Sequence, residues 1–288
     1  MSPFHEGELE VQRRAGVAAG AERVGRIVRR EIPPVARAFA AERRFVILGA
    51  ADAGGRVWAT VLHGEPGFLS VPADDRLLVD ARPAAGDPLA QTLEAEADIG
   101  LLIIDPPTRR RMRINGRARP VGAGTLEVTP REVYSNCPKY IHPREVPLSS
   151  GEEDDLVVER GTTLLPAQAV RLGAADTLFI ASRHPRAGAD VSHRGGDPGF
   201  VRVAAPDRLY VPDYSGNMMF NTLGNIAADP RAGLLLIDFR TGGTLQITGR
   251  AAIVWEDPAL PTFPGAQRLV ELDIEAVVET RGSRSHRL

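Results

Sequence analysis

The chain contains itself twice. Pro66–Asp80 reads PGFLSVPADDRLLVD and Pro198–Pro212 reads PGFVRVAAPDRLYVP, agreeing at 9 of 15 positions at an offset of 132. Further on, GLLIID at Gly100–Asp105 answers GLLLID at Gly233–Asp238, and NGRA at Asn115–Ala118 answers TGRA at Thr248–Ala251. The offset is then 133, so one residue was gained between the blocks. Two long collinear copies are a duplicated domain, each long enough for its own core, and not a solenoid.

Each copy has the same rhythm of short apolar runs. In the first they are Phe45–Ala50, Val57–Leu62, Phe68–Val71, Leu77–Val79, Leu101–Ile104 and Met112–Arg117. In the second they are Leu178–Ser182, Asp190–Arg194, Phe200–Val203, Leu209–Val211, Leu234–Ile237 and Leu245–Arg250. A helical stretch is predicted inside each copy, at Pro88–Ala97 and Gly216–Ala228. Short, mostly antiparallel strands with one inserted helix make a small β-barrel. The expected fold is mainly β with inserted helices: two tandem split β-barrels forming an intramolecular pseudo-dimer. The expected boundaries are an N-terminal helical arm at 1–44, broken at Pro33–Pro34; a first barrel at 45–145; an acidic linker at 146–168 around Gly151–Asp155; a second barrel at 169–262; and a C-terminal strand (Leu269–Val278) with a polar tail at 263–288.

Composition narrows the function classes. The net charge of the 288 residues is −2, so no global basic field recruits nucleic acid or anionic lipid. One cysteine, Cys137, rules out an intrachain disulfide framework and any cysteine-rich metal site. No apolar run approaches a membrane span, so a cytoplasmic protein with no membrane partner is expected. Six scattered histidines without helical metal spacing predict no metal.

Where the copies differ, function has room to specialise. Arg194 stands opposite Leu62 and Ser192 opposite Thr60, while Asp213-Tyr-Ser-Gly-Asn217 replaces the segment near Ala81–Ala85. Ser215 precedes the predicted helix, where a hydroxyl caps free N–H groups and a helix N-terminus attracts anions. Gly216 lets the backbone come close, and Arg194 on an adjacent strand would complete a phosphate cradle. A plain N-cap beside a surface arginine fits the same residues equally well.

VSHRGGDPGF, DYSGNMMFNTLGNI, GLLLIDF and LQITGRA together resemble the FMN-binding split-barrel family related to pyridoxamine 5′-phosphate oxidase, in its two-barrel branch. FHEGELEVQRRAGV and NCPKYIHPR resemble that branch too. The resemblance implies FMN bound between the barrels, one per chain, with its phosphate end on the second barrel. It implies cofactor contacts from Ser192, His193, Arg194, Tyr214, Ser215, Gly216 and Asn217, with Thr244 and Gln246 on the facing strand, matched in the first copy by Arg111 and Arg113. Met218 stands where relatives carry an arginine. In the segment Asn136–Arg144, Tyr140 would stack on the flavin ring and Lys139 would lie near its N1/O2 edge; a structured loop packed on the barrel is the alternative. The implied activity is flavin-mediated hydride or electron transfer to a small-molecule substrate, with a nicotinamide or other donor. Alternatives are a non-catalytic flavin-binding or stress-related protein, or a relative with a changed ligand, deazaflavin or haem. No catalytic acid or base stands out, and a homodimer is possible but not required by the internal pairing.

Two weaker signals remain. Asp190, Ser192 and His193 carry the letters of a catalytic triad, but adjacent strand residues point to opposite faces, so Ser192 and His193 do not meet. The basic run Thr108–Arg113 places Arg109, Arg111 and Arg113 on one strand face, either as a solvated hairpin or as a second anion site.

Overall fold

The computed structural model describes residues 2–122, 124–145 and 156–282. The acidic run Gly151–Asp155 and the tail from Ser283 onward lie outside the described residues. The strands are β1 (Phe45–Ala51), β2 (Val57–His63), β3 (Leu69–Ala73), β4 (Arg76–Asp80), β5 (Ala97–Asp105), β6 (Arg110–Val121), β7 (Thr125–Ser135), β8 (Leu156–Gly161), β9 (Thr177–His184), β10 (Gly188–Gly195), β11 (Arg202–Ala205), β12 (Arg208–Tyr214), β13 (Arg231–Ile237), β14 (Thr244–Val254) and β15 (Ala266–Gly282). They form two antiparallel sheets of the same order, β2-β1-β5-β6-β7-β4-β3 and β10-β9-β13-β14-β15-β12-β11, with β8 added beside β15. The duplication read from the sequence is therefore a duplication of topology, and the chain is a pair of tandem split barrels.

The repeated motifs are the places where both copies need the same backbone. In Glu65-Pro-Gly-Phe68 and Asp197-Pro-Gly-Phe200 the phenylalanine N–H returns to the carbonyl three residues back, at 2.9 Å in both. Gly67 and Gly199 sit at φ 100° and 94°, which a type II turn requires after proline. NGRA and TGRA each carry a β-bulge, at Asn115/Gly116 and Thr248/Gly249. The glycines opening GLLIID and GLLLID lie where one barrel's backbone meets the other's. A Cβ on Gly100 would stand 2.6 Å from Asp190 Cα, and one on Gly233 2.4 Å from Val57 O.

The central strands are apolar on both faces because both faces are buried. Val46, Leu48 and Ala50 of β1 point into the first barrel, whereas Phe45 and Ile47 point into a third cluster shared with Phe179, Val191 and Leu235 of the second. In β9, Leu178 and Ile180 fill the second core while Phe179 and Ala181 face the first barrel. Strict period-2 alternation thus splits each strand between its own core and the inter-barrel layer.

Among the described residues five α-helices decorate the sheets: α1 (Glu6–Arg14), α2 (Ala18–Gly25), α3 (Pro34–Ala41), α4 (Pro166–Gly173) and α5 (Asn221–Ala228). Proline at the first position of α3 places the predicted break at Pro33–Pro34. The arm divides between the barrels. Phe39 and Ala40 of α3 enter the first core, but α1 packs on α5, and Gln12 donates to Met219 O at 3.0 Å. Among the described residues no helix is long and apolar enough to cross a membrane.

Several expectations need correction. The stretch Pro88–Ala97 holds only a single 3₁₀ turn, Thr92–Glu94, and then enters β5. The helix expected from Gly216 begins at Asn221, because Met218 and Phe220 adopt left-handed φ of 65° and 62° and keep the chain out of helix. β7 has no counterpart in the sequence reading: its polar alternation hid it. The C-terminal strand is not an appendage, since β15 lies between β14 and β12, in the place β7 takes in the first sheet. β8 also belongs to the second sheet, although its residues read as linker.

Candidate functional site

A cleft of about 340 Å³ opens between the barrels. The second barrel contributes the end of β10, the end of β12, the loop Ser215–Phe220, the start of α5 and Arg268 of β15. The first barrel contributes Arg111 and Arg113 of β6 and the loop Asn136–Tyr140 that follows β7.

The loop is tied across the second barrel. His142 Nε2 donates to Gly196 O at 2.9 Å, and Arg144 grips both Asp176 oxygens at 2.7 Å. Tyr140, at φ 63°, stacks on Tyr214 with ring centroids 5.3 Å apart, and its hydroxyl donates to Ser215 O. Gly195 makes this crossing possible, since a Cβ there would lie 2.1 Å from Tyr140 O. The segment is thus a loop packed on the second barrel, and its Lys139 and Tyr140 line the cleft.

The cleft is strongly cationic. Arg194 Nη1 lies 2.6 Å from Asp213 Oδ1, and Arg268 Nη1 lies 3.5 Å from Asp213 Oδ2. Two guanidinium groups thus share one carboxylate. Arg268 is buried between the rings of Phe220 and Trp255, at 4.9 and 4.8 Å, and its Nε and Nη1 have no hydrogen-bond acceptor. Burial pulls its pKa down, against the attraction of Asp213. Arg113 meets Asp190 at 3.1 and 3.2 Å across the barrel interface, joined by the Tyr134 hydroxyl and Asn115 Nδ2. Burial opposes the Arg113 charge, but Asp190 and Tyr134 more than restore it. The same burial drives Tyr134 well above the usual tyrosine range.

Arg111 differs from these. Its Nη1 contacts His193 Nδ1 at 3.2 Å and its Nη2 donates to Cys137 O at 2.5 Å. Burial and the neighbouring Arg113 lower its pKa to about 10, so it remains charged at neutral pH. Burial, Arg111 and Arg194 hold His193 well below the ordinary histidine range. Because arginine is an obligate donor, neutral His193 accepts at Nδ1 and carries its proton on Nε2.

The predicted site residues divide. His193, Arg194, Tyr214, Ser215, Gly216, Asn217, Lys139 and Tyr140 all line this one cleft. Ser192 does not: its buried hydroxyl is 2.9 Å from Thr222 Oγ1, behind the wall. Thr244 and Gln246 do not either. Gln246 Nε2 donates to Ala59 O and Asp87 Oδ2, both at 3.0 Å, on the first barrel. The physical reason is the pseudo-twofold relation of the barrels: β6 and β14 each lean against the other barrel's site, so Arg111 and Arg113 serve the second barrel's cleft. Ser215 is not a helix cap; its carbonyl receives Tyr140, while Asn217 Oδ1 accepts from Met219 N at 3.0 Å. Arg268 was missed: in the sequence it is only an arginine at the leading edge of the strand Leu269–Val278, and its pairing with Asp213 emerges in the sheet register.

His5, Glu6 and His184 gather at the outer end of α1. Each imidazole accepts backbone N–H bonds at Nδ1, from Gly7 and Glu8 for His5 and from Arg186 and Ala187 for His184. Each Nε2 then donates, to Asn225 Oδ1 and Glu6 Oε1 respectively, so neither imidazole has a lone pair left over for a cation.

Three solved structures are similar to parts of the chain. A pyridoxamine 5′-phosphate oxidase-like protein of Lactobacillus delbrueckii has 19% identity and a TM-score of 0.34, covering 41% of this chain and 94% of its own. An FMN-binding protein of Syntrophomonas wolfei has 9% identity and a TM-score of 0.31, covering 39% and 84%. An F420 reductase has 14% identity and a TM-score of 0.28, covering 39% and 95%. No curated protein matches the sequence. Residues 165–284, the second barrel with β15 included, match the family model of pyridoxamine 5′-phosphate oxidase. In that barrel, and not in the first, the chain is similar to the pyridoxamine 5′-phosphate oxidase family.

Proposed function

We propose that the cleft holds one FMN per chain and that the protein is a flavin-dependent oxidoreductase acting on a small molecule, with a nicotinamide or another diffusible donor. The carrying observation is the pair Arg194 and Arg268 sharing the single carboxylate of Asp213. That end keeps an uncompensated positive charge beside the open backbone of Ser215–Gly216, which suits a phosphate monoester. Arg268 takes the place of the cation missing at Met218. The stacked Tyr140 and Tyr214 offer an aromatic wall, and Lys139 lines the same cleft.

FMN, when bound, supplies the hydride or electron transfer, and the chain's own residues bind and orient it. Arg194, Arg268 and the Ser215–Asn217 backbone hold the phosphate end. The strapped loop Asn136–Arg144 excludes water from the first-barrel side. Neutral His193 presents an Nε2 proton without adding charge. The test is the visible absorption spectrum of the purified protein, with chromatography of whatever denaturation releases. FMN near one equivalent per chain is expected. A colourless protein that also fails to take up added FMN would overturn the cofactor, and two equivalents would overturn the single site.

A further inference from the structure

The charges of the cleft do not balance. Arg113 is matched by Asp190, and Arg194 and Arg268 have Asp213 between them. Arg111 has no carboxylate partner among the described residues. Its contacts are a neutral imidazole nitrogen and one backbone carbonyl, and its Nε is buried with no acceptor. Of its ionisable neighbours Arg113 and Arg194 repel it, and the exposed Cys137 thiol is the one attraction. A half-buried guanidinium in such surroundings is costly unless an anion completes it. At the matching position of the second copy, Thr244 carries no charge, so the strand does not need arginine there to pair.

We propose that Arg111 is an oxyanion-binding residue of the cleft, reaching across the barrel interface to complete a site that the second barrel alone leaves open. The inference rests on the cleft being a ligand site and extends it to a residue from the other barrel. Its ligand is a phosphoryl or carboxylate oxygen, supplied either by the phosphate of the cofactor or by an anionic substrate. His193 is the spacer: held neutral, it accepts from Arg111 without cancelling the charge. Arg111 also bonds Cys137 O, so a purely structural role as a loop staple makes the opposite predictions.

The experiment compares the wild type with Arg111→Met and Arg111→Lys, with thermal melting to confirm folding. FMN and riboflavin are titrated separately, and then inorganic phosphate and acetate are titrated into the FMN-loaded protein at fixed ionic strength. If the cofactor's phosphate is the anion, Arg111→Met binds FMN about 10- to 100-fold more weakly but riboflavin within about twofold, and Arg111→Lys recovers most of the preference. If a substrate is the source, both flavins bind as before and the loaded wild type alone binds phosphate or acetate. Equal loss of FMN and riboflavin, unrepaired by lysine, is the staple's signature and overturns the proposal. So does a variant identical to wild type in every titration. Should the wild type bind neither flavin, the cofactor reading falls by itself. Calorimetric phosphate binding to the unloaded protein then decides: dependence on Arg111 sustains the oxyanion site, and independence ends it.

Discussion

The second barrel's cleft and its counterpart on the first barrel are the same architecture with opposite chemistry. Strand register puts Leu62 where the cleft has Arg194, Val61 for His193, Thr244 for Arg111 and Gln246 for Arg113. Continuing the pairing of the next strands puts Ala81 opposite Asp213 and Gly124 opposite Arg268. Each of these charged wall residues has a neutral partner. The first-barrel site is also filled. The Asp87 carboxylate takes the Thr60 hydroxyl, Gln246 Nε2 at 3.0 Å and Leu89 N–H at 2.8 Å. A duplicated fold keeps the glycines and turns both copies need, and is free to lose a binding site in one of them.

The largest effect should come from giving the cleft its counterpart's residue at Arg113. Arg113→Gln leaves Asp190 buried at the interface without its ion partner, which costs about 3–5 kcal/mol. For a chain of this size that lowers the melting temperature by about 10 °C. A change of under about 1 kcal/mol in urea unfolding would show that the interface does not depend on this pair.

Arg194→Leu makes the same exchange at the phosphate end. Asp213 retains Arg268, so the fold survives, but the phosphate end of the cleft loses its net charge. FMN affinity, read by flavin fluorescence quenching, should fall about 10- to 100-fold, the worth of one or two charge-assisted hydrogen bonds. Leu62→Met, the matching control in the first core, should leave FMN affinity unchanged. Equal affinity in both variants would place the phosphate elsewhere.

A third asymmetry is the helical cover. α1 docks on α5, which has no counterpart in the first barrel, and Glu8 is buried in that contact. Glu8 accepts from His5 N and from Asn221 Nδ2, and burial raises its carboxyl to about 8. Between about pH 4.5 and 8 the folded protein holds a proton that the unfolded chain has lost, so stability falls as pH rises through that window. His5 acts in reverse. Burial and His184 lower it to about 4, so stability rises with pH between about 4 and 6.5. The two offset each other below about 6.5, leaving a net fall of about 1–2 kcal/mol from pH 6.5 to 8. Glu8→Gln should flatten that fall in pH-resolved denaturation, with Asn221 turning its amide to match. A slope kept by the variant would assign the titration to another group.

The repeat was legible because it records backbone necessity. The turns at Gly67 and Gly199, the bulges at Gly116 and Gly249 and the close approaches at Gly100 and Gly233 are met twice by the same letters. The divergent positions were legible as well: His193, Arg194 and the segment Tyr214–Asn217 do gather in one cleft. What one copy cannot reveal is which barrel a strand serves. Gln246 and Arg113 occupy equal places in their own sheets yet face different sites. Arg268 escaped because its meaning comes from Asp213 on a strand more than fifty residues away in sequence. Asp87 escaped because a lone Gly-Asp-Pro reads as a turn, and only its burial against Thr60 and Gln246 makes it a plug.

Asp87→Asn asks which of two differences closed the first-barrel site, and should have the smallest effect. Burial raises the Asp87 carboxyl, against the bonds from Thr60, Leu89 and Gln246. A raised carboxyl stabilises the fold fully only below its ordinary range, and that contribution is lost as pH climbs through the folded value. Asparagine does not titrate, so the variant should show a flatter stability profile above the usual aspartate range, with a change near neutral pH of about 1 kcal/mol or less. FMN stoichiometry should stay at one, because Leu62, Ala81 and Gly124 still offer no cation to a phosphate. A second equivalent in the variant would mean that the carboxylate alone held the site shut. The missing arginines would then be a consequence of the closure and not its cause.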